Sequence, residues 1–374
     1  MSIEIREVKS KKELKSFIKF PFELYKNNPY WVPPFYFDEM NVLNPVKNPA
    51  SEYCDSKLWL AYDNNKIVGR IAGIINKRYI EKWGKKAVRF GWIDFINDKD
   101  VSGILIETVI QWAKSRNLEF IHGPLGFTDL DYEGMLIDGF NEVGTMSTIY
   151  NYEYYPRHLE NLGFDKEVDW VEFEITVPEE IPEKAVRVAN IVKEKLKLKV
   201  FDAKKAKDFK PYGNGVFQLI NDSYKDLFGF VPLSKKQIDK YIKQYLGFVV
   251  PDFLIIILDS ENKVAGFVIA MPSLTKALQK TKGKLFPFGF IHILKAIKKN
   301  RYLDLYLGAI RPDLQGKGAD ALLMTELTRA CIKNKIVTAE SNIELESNVL
   351  VQGHWKYFNS RQHKRRRCFI KRIN

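Results

Sequence analysis

The 374-residue sequence predicts an α/β protein made of two successive copies of one strand-and-helix plan. Three observations predict it. A hairpin pattern occurs twice: Trp59 to Gly73 (WLAYDNNKIVGRIAG) and Phe253 to Ala270 (FLIIILDSENKVAGFVIA) each run strand, polar turn, Lys-Ile/Val-x-Gly, strand. Each hairpin is followed by a strand and an apolar-striped helix, Phe90 to Ile96 with Ile104 to Lys114, and Leu303 to Ala309 with a helix running to Asn334. Between the copies, Val177 to Glu183 (VPEEIPE) sets prolines and acids between periodic segments, as a linker does. The expected division is residues 1–177 and 184–374.

Taken in order, Phe20 to Phe37 (FPFELYKNNPYWVPPFYF) is dense in aromatics and prolines and reads as a packed, irregular strap. The first half then holds its hairpin, strand and helix, a strand at Leu118 to Gly123, and a closing stretch, Tyr155 to Phe164, before a strand at Trp170 to Thr176. The second half repeats this with an insertion of about twenty residues between hairpin and next strand. In that next strand Leu303, Leu305, Leu307 and Ala309 alternate with Asp304, Tyr306 and Gly308, which predicts one apolar face. Arg311-Pro312 ends it, because proline has no N–H for the ladder. Leu323, Leu327 and Cys331 recur at fourfold spacing as the buried stripe of a helix. Lys335 to Ala339 is a further strand, and Cys368 to Ile370 is the apolar end of a final one.

Gln315-Gly316-Lys317-Gly318-Ala319-Asp320 lies between that strand and helix. Glycines let backbone N–H groups approach a ligand, and the first turn of a helix leaves such donors unpaired. A phosphate suits them. The corresponding place in the first half is Asp98-Lys99-Asp100-Val101-Ser102-Gly103, with two carboxylates and no such glycine spacing.

Strand before, helix after and the spacing Q-x-x-G-x-x together resemble the acyl-CoA signature of the GNAT superfamily of N-acyltransferases. The resemblance covers both halves. It implies two tandem GNAT-like halves, each a mixed, mostly antiparallel β-sheet flanked by helices. It also implies acetyl-CoA or a longer acyl-CoA as co-substrate, and no metal. The cofactor-binding residues would be Ile310, Arg311, Gln315, Gly316, Lys317, Gly318, Ala319 and Asp320, with loop amides on the pyrophosphate and the strand along the pantetheine arm. Asp320 stands where the family places glycine or alanine, so its carboxylate is expected to face solvent. The first half is expected to bind no CoA and to wall the substrate side of the cleft.

An N-acyltransferase holds a thioester, takes a proton from an amine and returns one to the thiolate. Ala339 to Phe358 (AESNIELESNVLVQGHWKYF) resembles the family's closing segment, which makes Glu340, Glu346 and Asn348 its polar candidates. Trp355 stands near the position usually held by tyrosine. An indole is no acid, so Tyr357 is the candidate proton donor, with His354 or water as substitutes. In the first half, Gly123 to Phe140 (GPLGFTDLDYEGMLIDGF) is a glycine-rich acidic loop, and such loops often carry function. Asp131 and Glu133 are its candidates for a cationic amine. This loop, NNPYWVPP from Asn27 and KLFPFGFIHILK from Lys284 resemble a bacterial group of tandem GNAT-like proteins. Some of that group look like N-acyltransferases that join long fatty acyl groups to lipid amines. The acceptor is then a small-molecule or lipid amine, and residues 284–297 are expected to help hold a long chain.

The net charge of +13 sits in two places. Residues 273–301 carry eight Lys and Arg and residues 361–374 carry seven, with no acid in either. Such segments suit phosphates, anionic lipid or nucleic acid. Within 273–301, Leu285, Phe286, Phe288, Phe290, Ile291, Ile293, Leu294 and Ile297 lie between lysines, as a membrane-surface segment or the roof of an acyl tunnel would. Met1 to Lys12 is polar and no apolar run reaches the length of a membrane span, so a cytoplasmic location is expected, with contact at the inner face of the membrane through 273–301. Three widely spaced cysteines argue against a disulfide framework or zinc site.

Two other readings remain at this stage. One is a Fem-type aminoacyl transferase, also of tandem GNAT-like build. The other is a catalytically inactive GNAT-like scaffold or a nucleic-acid-binding module around Lys364 to Arg367, although nucleic acid is not the expected partner. Hydrolases are disfavoured: there is no G-x-S-x-G and the five histidines are scattered.

Overall fold

The computed structural model describes residues 3–373. The first half of the chain runs β1 (Glu4–Glu7), α1 (Lys11–Leu24), α2 (Tyr36–Val42), β2 (Cys54–Asp63), β3 (Lys66–Asn76), α3 (Lys77–Trp83), β4 (Ala87–Phe95) and α4 (Lys99–Lys114). It closes with β5 (Phe120–Gly123), β6 (Met135–Asp138), α5 (Tyr154–Asn161) and β7 (Asp165–Thr176). The second half runs α6 (Glu183–Lys195), β8 (Lys199–Val200), α7 (Gly213–Tyr224), α8 (Lys235–Tyr245), β9 (Leu254–Leu258), β10 (Val264–Pro272), α9 (Thr275–Thr281) and α10 (Gly289–Lys298). It ends with β11 (Tyr302–Ile310), α11 (Ala319–Lys333), β12 (Thr338–Glu340), β13 (Glu344–Leu345), α12 (Val349–Gln352) and β14 (Ser360–Arg372).

Both hairpins form as their sequences predict, β2 with β3 and β9 with β10. The strap is partly helical: α1 continues through Pro21 to Leu24, and α2 begins at Tyr36. Asp98 to Gly103 is also not a loop. Asp98 is the N-cap of α4 and the residues after it are its first turns.

All fourteen strands belong to one sheet, in the order β1-β2-β3-β4-β5-β14-β7-β12-β11-β10-β9-β8, with β6 on β14 and β13 on β7. Each half therefore hands its last long strand to the other. β14 lies between β5 and β7, antiparallel to both, while β7 pairs with β12.

Charge accounts for that pairing. β7 reads DKEVDWVEFEIT and β14 reads SRQHKRRRCFIKR. Arg361 bonds Glu174 (Nε to Oε1 2.9 Å), Arg366 bonds Glu172 (Nε to Oε1 2.5 Å), and Arg367 bonds Asp169 (Nε to Oδ1 2.8 Å). Lys364 and Arg366 are buried beside Glu172. Burial raises the pKa of Glu172, yet the two cations outweigh it and hold the carboxyl below its usual range. The cations of 361–367 are thus the electrostatic complement of an acidic strand inside the sheet.

The expected single apolar face of β11 is broken by a bulge. Against β10, Ile269 faces Leu307 and the next residue, Ala270, faces Leu305, which leaves Tyr306 as an extra residue. Leu303 and Leu305 pack in the core with Leu323, Leu327 and Cys331 of α11, whereas Leu307 and Ala309 join Leu219 and Ile220 of α7 on the opposite side. β4 carries the same irregularity against β3, with Trp92 at φ +43°.

Candidate functional site

The loop after β11 turns twice through positive φ, at Gly316 (+69°) and Gly318 (+85°). A side chain at either would be strained, and at Gly318 a Cβ would also stand 3.0 Å from Val192. Gly318 is the N-cap of α11, and no side chain caps that helix. The N–H groups of Gly318 and Ala319 are therefore available to an anion, whereas those of Asp320 and Ala321 lie against the Asp320 carboxylate. The matching end of α4 is closed: the Asp98 carboxylate accepts from Asp100 N at 2.8 Å and Val101 N at 3.4 Å. The first half fills with its own carboxylate the place that the second leaves open.

β11 pairs in parallel with β12 only over Tyr302 to Asp304. Beyond Asp304 the two strands separate, and β11 keeps one edge without a strand neighbour. Side chains reach that edge: Asn342 Nδ2 donates to Tyr306 O (3.2 Å), Tyr224 to Gly308 O (2.9 Å), and Ser223 and Gln315 to Ile310 O (3.2 and 3.0 Å).

Beside the fork lies a polar cluster built by four strands. Asp304 (β11) is in register with Glu340 (β12), Glu340 with Glu174 (β7), and Glu172 (β7) with Lys364 (β14). Lys364 is ion-paired to Glu340, and His363 Nε2 stands 3.4 Å from the same carboxylate. Burial and the Glu340 charge push Asp304 up to about 7. Asp304 and Tyr306 interact with each other, while Glu172 Oε2 has only Lys364 Nζ at 3.6 Å and His363 Nδ1 only Glu142 at 3.5 Å, both long contacts. Buried polar atoms are usually better satisfied than this, so the cluster holds hydrogen-bonding capacity that its own long contacts use poorly.

No protein-family model matches the chain. Protein YghO of Escherichia coli is 27% identical over 376 aligned positions, covering 99% of this chain and 95% of that protein. A bacterial ceramide synthase of Caulobacter vibrioides is 26% identical over 306 positions, 79% of this chain and 77% of that protein. Among solved structures, a tandem GNAT protein from the clavulanic acid biosynthesis pathway superposes with a TM-score of 0.56 at 10% identity, over 100% of this chain and 99% of its own. A probable N-acyltransferase of Enterococcus faecalis gives 0.52 at 7% identity, over 100% and 73%. The fold is a tandem GNAT fold.

Within that GNAT frame the residues singled out from sequence fall in different places. Gln315 to Asp320 form the glycine turn and the start of α11. Arg311 does not serve the loop: Asp259 (2.6 Å) and Asp313 (2.7 Å) take its guanidinium. Asp320 does not face open solvent either. It is half-buried and accepts from His354 Nε2 at 2.8 Å, and that contact is the main cause of its lowered pKa.

Of the proposed catalytic set, only Glu340 lies in the polar cluster. Glu346 is paired with Lys166 and Arg365, and Asn348 precedes α12 without capping it. Tyr357 is 86% exposed. Trp355 is a core residue whose Nε1 donates to Glu344 at 2.9 Å, while burial pushes Glu344 up to about 7.

The loop after β5 packs into the first half's own fork, where Leu125 N donates to Phe90 O at 2.8 Å. Asp131 closes that loop by accepting from Thr128 N at 2.9 Å, and burial pushes it up to about 6. Burial, then the neighbouring Asp129, raise the pKa of Glu133 well above its usual value. Among the described residues one group places metal-ligand types together, His122, Glu167 and Cys368 within 4.8 Å. Its carboxylate already serves Lys85 and His122. Asp304, Tyr306 and His363 were missed by sequence reading because each looks like an ordinary polar residue in a strand. An acid inside the apolar run of β11 was the one available signal.

Proposed function

We propose that this protein is an acyl-CoA-dependent N-acyltransferase that binds its co-substrate in the second half only. The observation that carries the proposal is the contrast between the uncapped, double-glycine start of α11 and the Asp98-capped start of α4. In this reading the N–H groups of Gly318 and Ala319 hold CoA phosphates, and the pantetheine arm lies along the open edge of β11. There it exchanges hydrogen bonds with those now made by Ser223 and Tyr224.

The amine acceptor comes to the polar cluster. Asp304, with a pKa near neutrality, is the group suited to take the amine proton. Glu340, paired with Lys364 beside it, adds to burial in keeping the Asp304 pKa raised. A neutral Tyr306 hydroxyl has the donor needed at the thiolate or carbonyl oxygen. The likeness in sequence to a protein named a bacterial ceramide synthase supports a lipid amine as acceptor and a long acyl chain as donor group. Residues 284–297 do not roof a tunnel for that chain, since most of their apolar side chains face outward.

Calorimetric titration tests the proposal. CoA should bind the wild type and the Asp98→Ala variant alike and fail to bind Gly318→Glu. Binding that survived Gly318→Glu would overturn it. Acetyl-, octanoyl- and palmitoyl-CoA, each below its micelle concentration, then report chain preference. Tightest binding of acetyl-CoA would remove the long-chain part.

A further inference from the structure

Between β10 and β11 the chain makes the excursion α9–α10. One side of it is anchored. Ile293 is buried with Leu274, Leu278 and Val32, and Leu285, Ala296 and Ile297 pack around them. Gln279 Nε2 donates to Pro29 O (2.8 Å), Tyr36 N donates to Gly283 O (3.0 Å), and Asn300 Nδ2 donates to Ser273 O (2.5 Å). The other side has no protein against it. Phe286 is 79% and Phe288 70% exposed, and Phe290, Ile291 and Leu294, at i, i+1 and i+4 of α10, are exposed beside them. Lys282, Lys284, Lys295, Lys298 and Lys299 stand exposed around this face, in a segment without one acid.

We propose that this face docks the protein on an anionic lipid bilayer, with the phenylalanines in the acyl–headgroup boundary and the lysines on lipid phosphates. A scattered exposed apolar residue needs no explanation, but a contiguous aromatic patch on a rigid support does. Five apolar side chains inside a ring of cations are the pattern of an in-plane interfacial helix. A second copy of the chain is the poorer occupant. A twofold contact through this patch would bring the two lysine rims together, and like charges would oppose it, whereas each lysine gains from an anionic surface. Among the described residues no helix is long and apolar enough to cross a membrane, so contact here is peripheral. The proposal is independent of the acyl transfer.

Co-sedimentation of the full chain with vesicles tests it. The wild type should bind phosphatidylcholine vesicles containing one-third phosphatidylglycerol, bind pure phosphatidylcholine poorly, and release with added salt. F286S/F288S/I291S should lower the partition coefficient more than about tenfold. K284Q/K295Q/K298Q should lower it by about tenfold or more and weaken its salt dependence, since Lys282 and Lys299 remain. Both variants should keep the CoA affinity of the wild type, which separates failure here from failure of the proposed reaction. Three results would overturn the inference: no binding to anionic vesicles at low salt, equal binding by the serine variant, or a wild-type dimer that the serine variant dissolves.

Discussion

Cutting the chain in the linker after β7 should leave neither half folded, although the two halves repeat one plan. Consider residues 1–182 alone. They lose β14, and with it Phe369 and Ile373 from the first half's core, where Phe369 is completely buried. Deleting such side chains costs about 3–5 kcal/mol for a phenylalanine and about 2–5 for an isoleucine. Glu172, equally buried, loses both Lys364 and Arg366, and a buried ion without its partner costs about 3–5 kcal/mol. Together these are on the order of 10 kcal/mol, as large as the whole net stability of a typical domain. Residues 183–374 fare no better, since β12 loses β7 and β14 loses every strand neighbour. The assay is urea denaturation followed by circular dichroism, with gel filtration, on each fragment and on the co-expressed pair. Each fragment alone should lack a cooperative transition, and the pair should co-purify and unfold together. A monomeric, cooperatively unfolding 1–182 would refute the reasoning.

Gly318→Ala, forced to φ +85° and against Val192, should weaken CoA binding by about 1–2 kcal/mol in calorimetry, with the fold intact by circular dichroism. Asp98→Ala removes a cap and should cost about 1 kcal/mol in denaturation while leaving CoA affinity unchanged. Asp304 has a folded pKa of about 7, above its value of 3.8 when free, so the folded state holds the extra proton and stability falls as pH rises from about 4 to 7. Asp304→Asn should flatten that fall, gain about 1–3 kcal/mol at pH 8, and lose acyl transfer if Asp304 takes the amine proton. Asp320→Ala breaks a partly exposed pair with His354, so CoA affinity should move less than about threefold, and a large loss would make that carboxylate part of the site.

The glycine loop was legible because its meaning is local. Two glycines, the strand before and the helix after lie within about thirty residues, and only the backbone they permit is at issue. The polar cluster was not. Asp304, Glu340, Glu172 and Lys364 come from four strands that the sequence scatters over two hundred residues. Glu340 was singled out through the closing segment, but its Lys364 partner was read as part of a surface.

The sequence by itself determined the hairpins, the α11 stripe, the linker and the repeat, since side-chain period and turn chemistry report how each segment is shaped and which side is apolar. Only the tertiary structure decided which strands are neighbours. A period of two says that β7 and β14 have two faces, but not that each half would give its last strand to the other. Once they pair, fixed register puts Glu172 against Lys364 and Trp170 against Arg366, and a run of cations becomes an interior seam. The β11 bulge belongs to the same class. One unpaired residue, set by the bond pattern with β10, moves Leu307 and Ala309 to the other face, because side chains alternate strictly and a one-residue shift reverses them all.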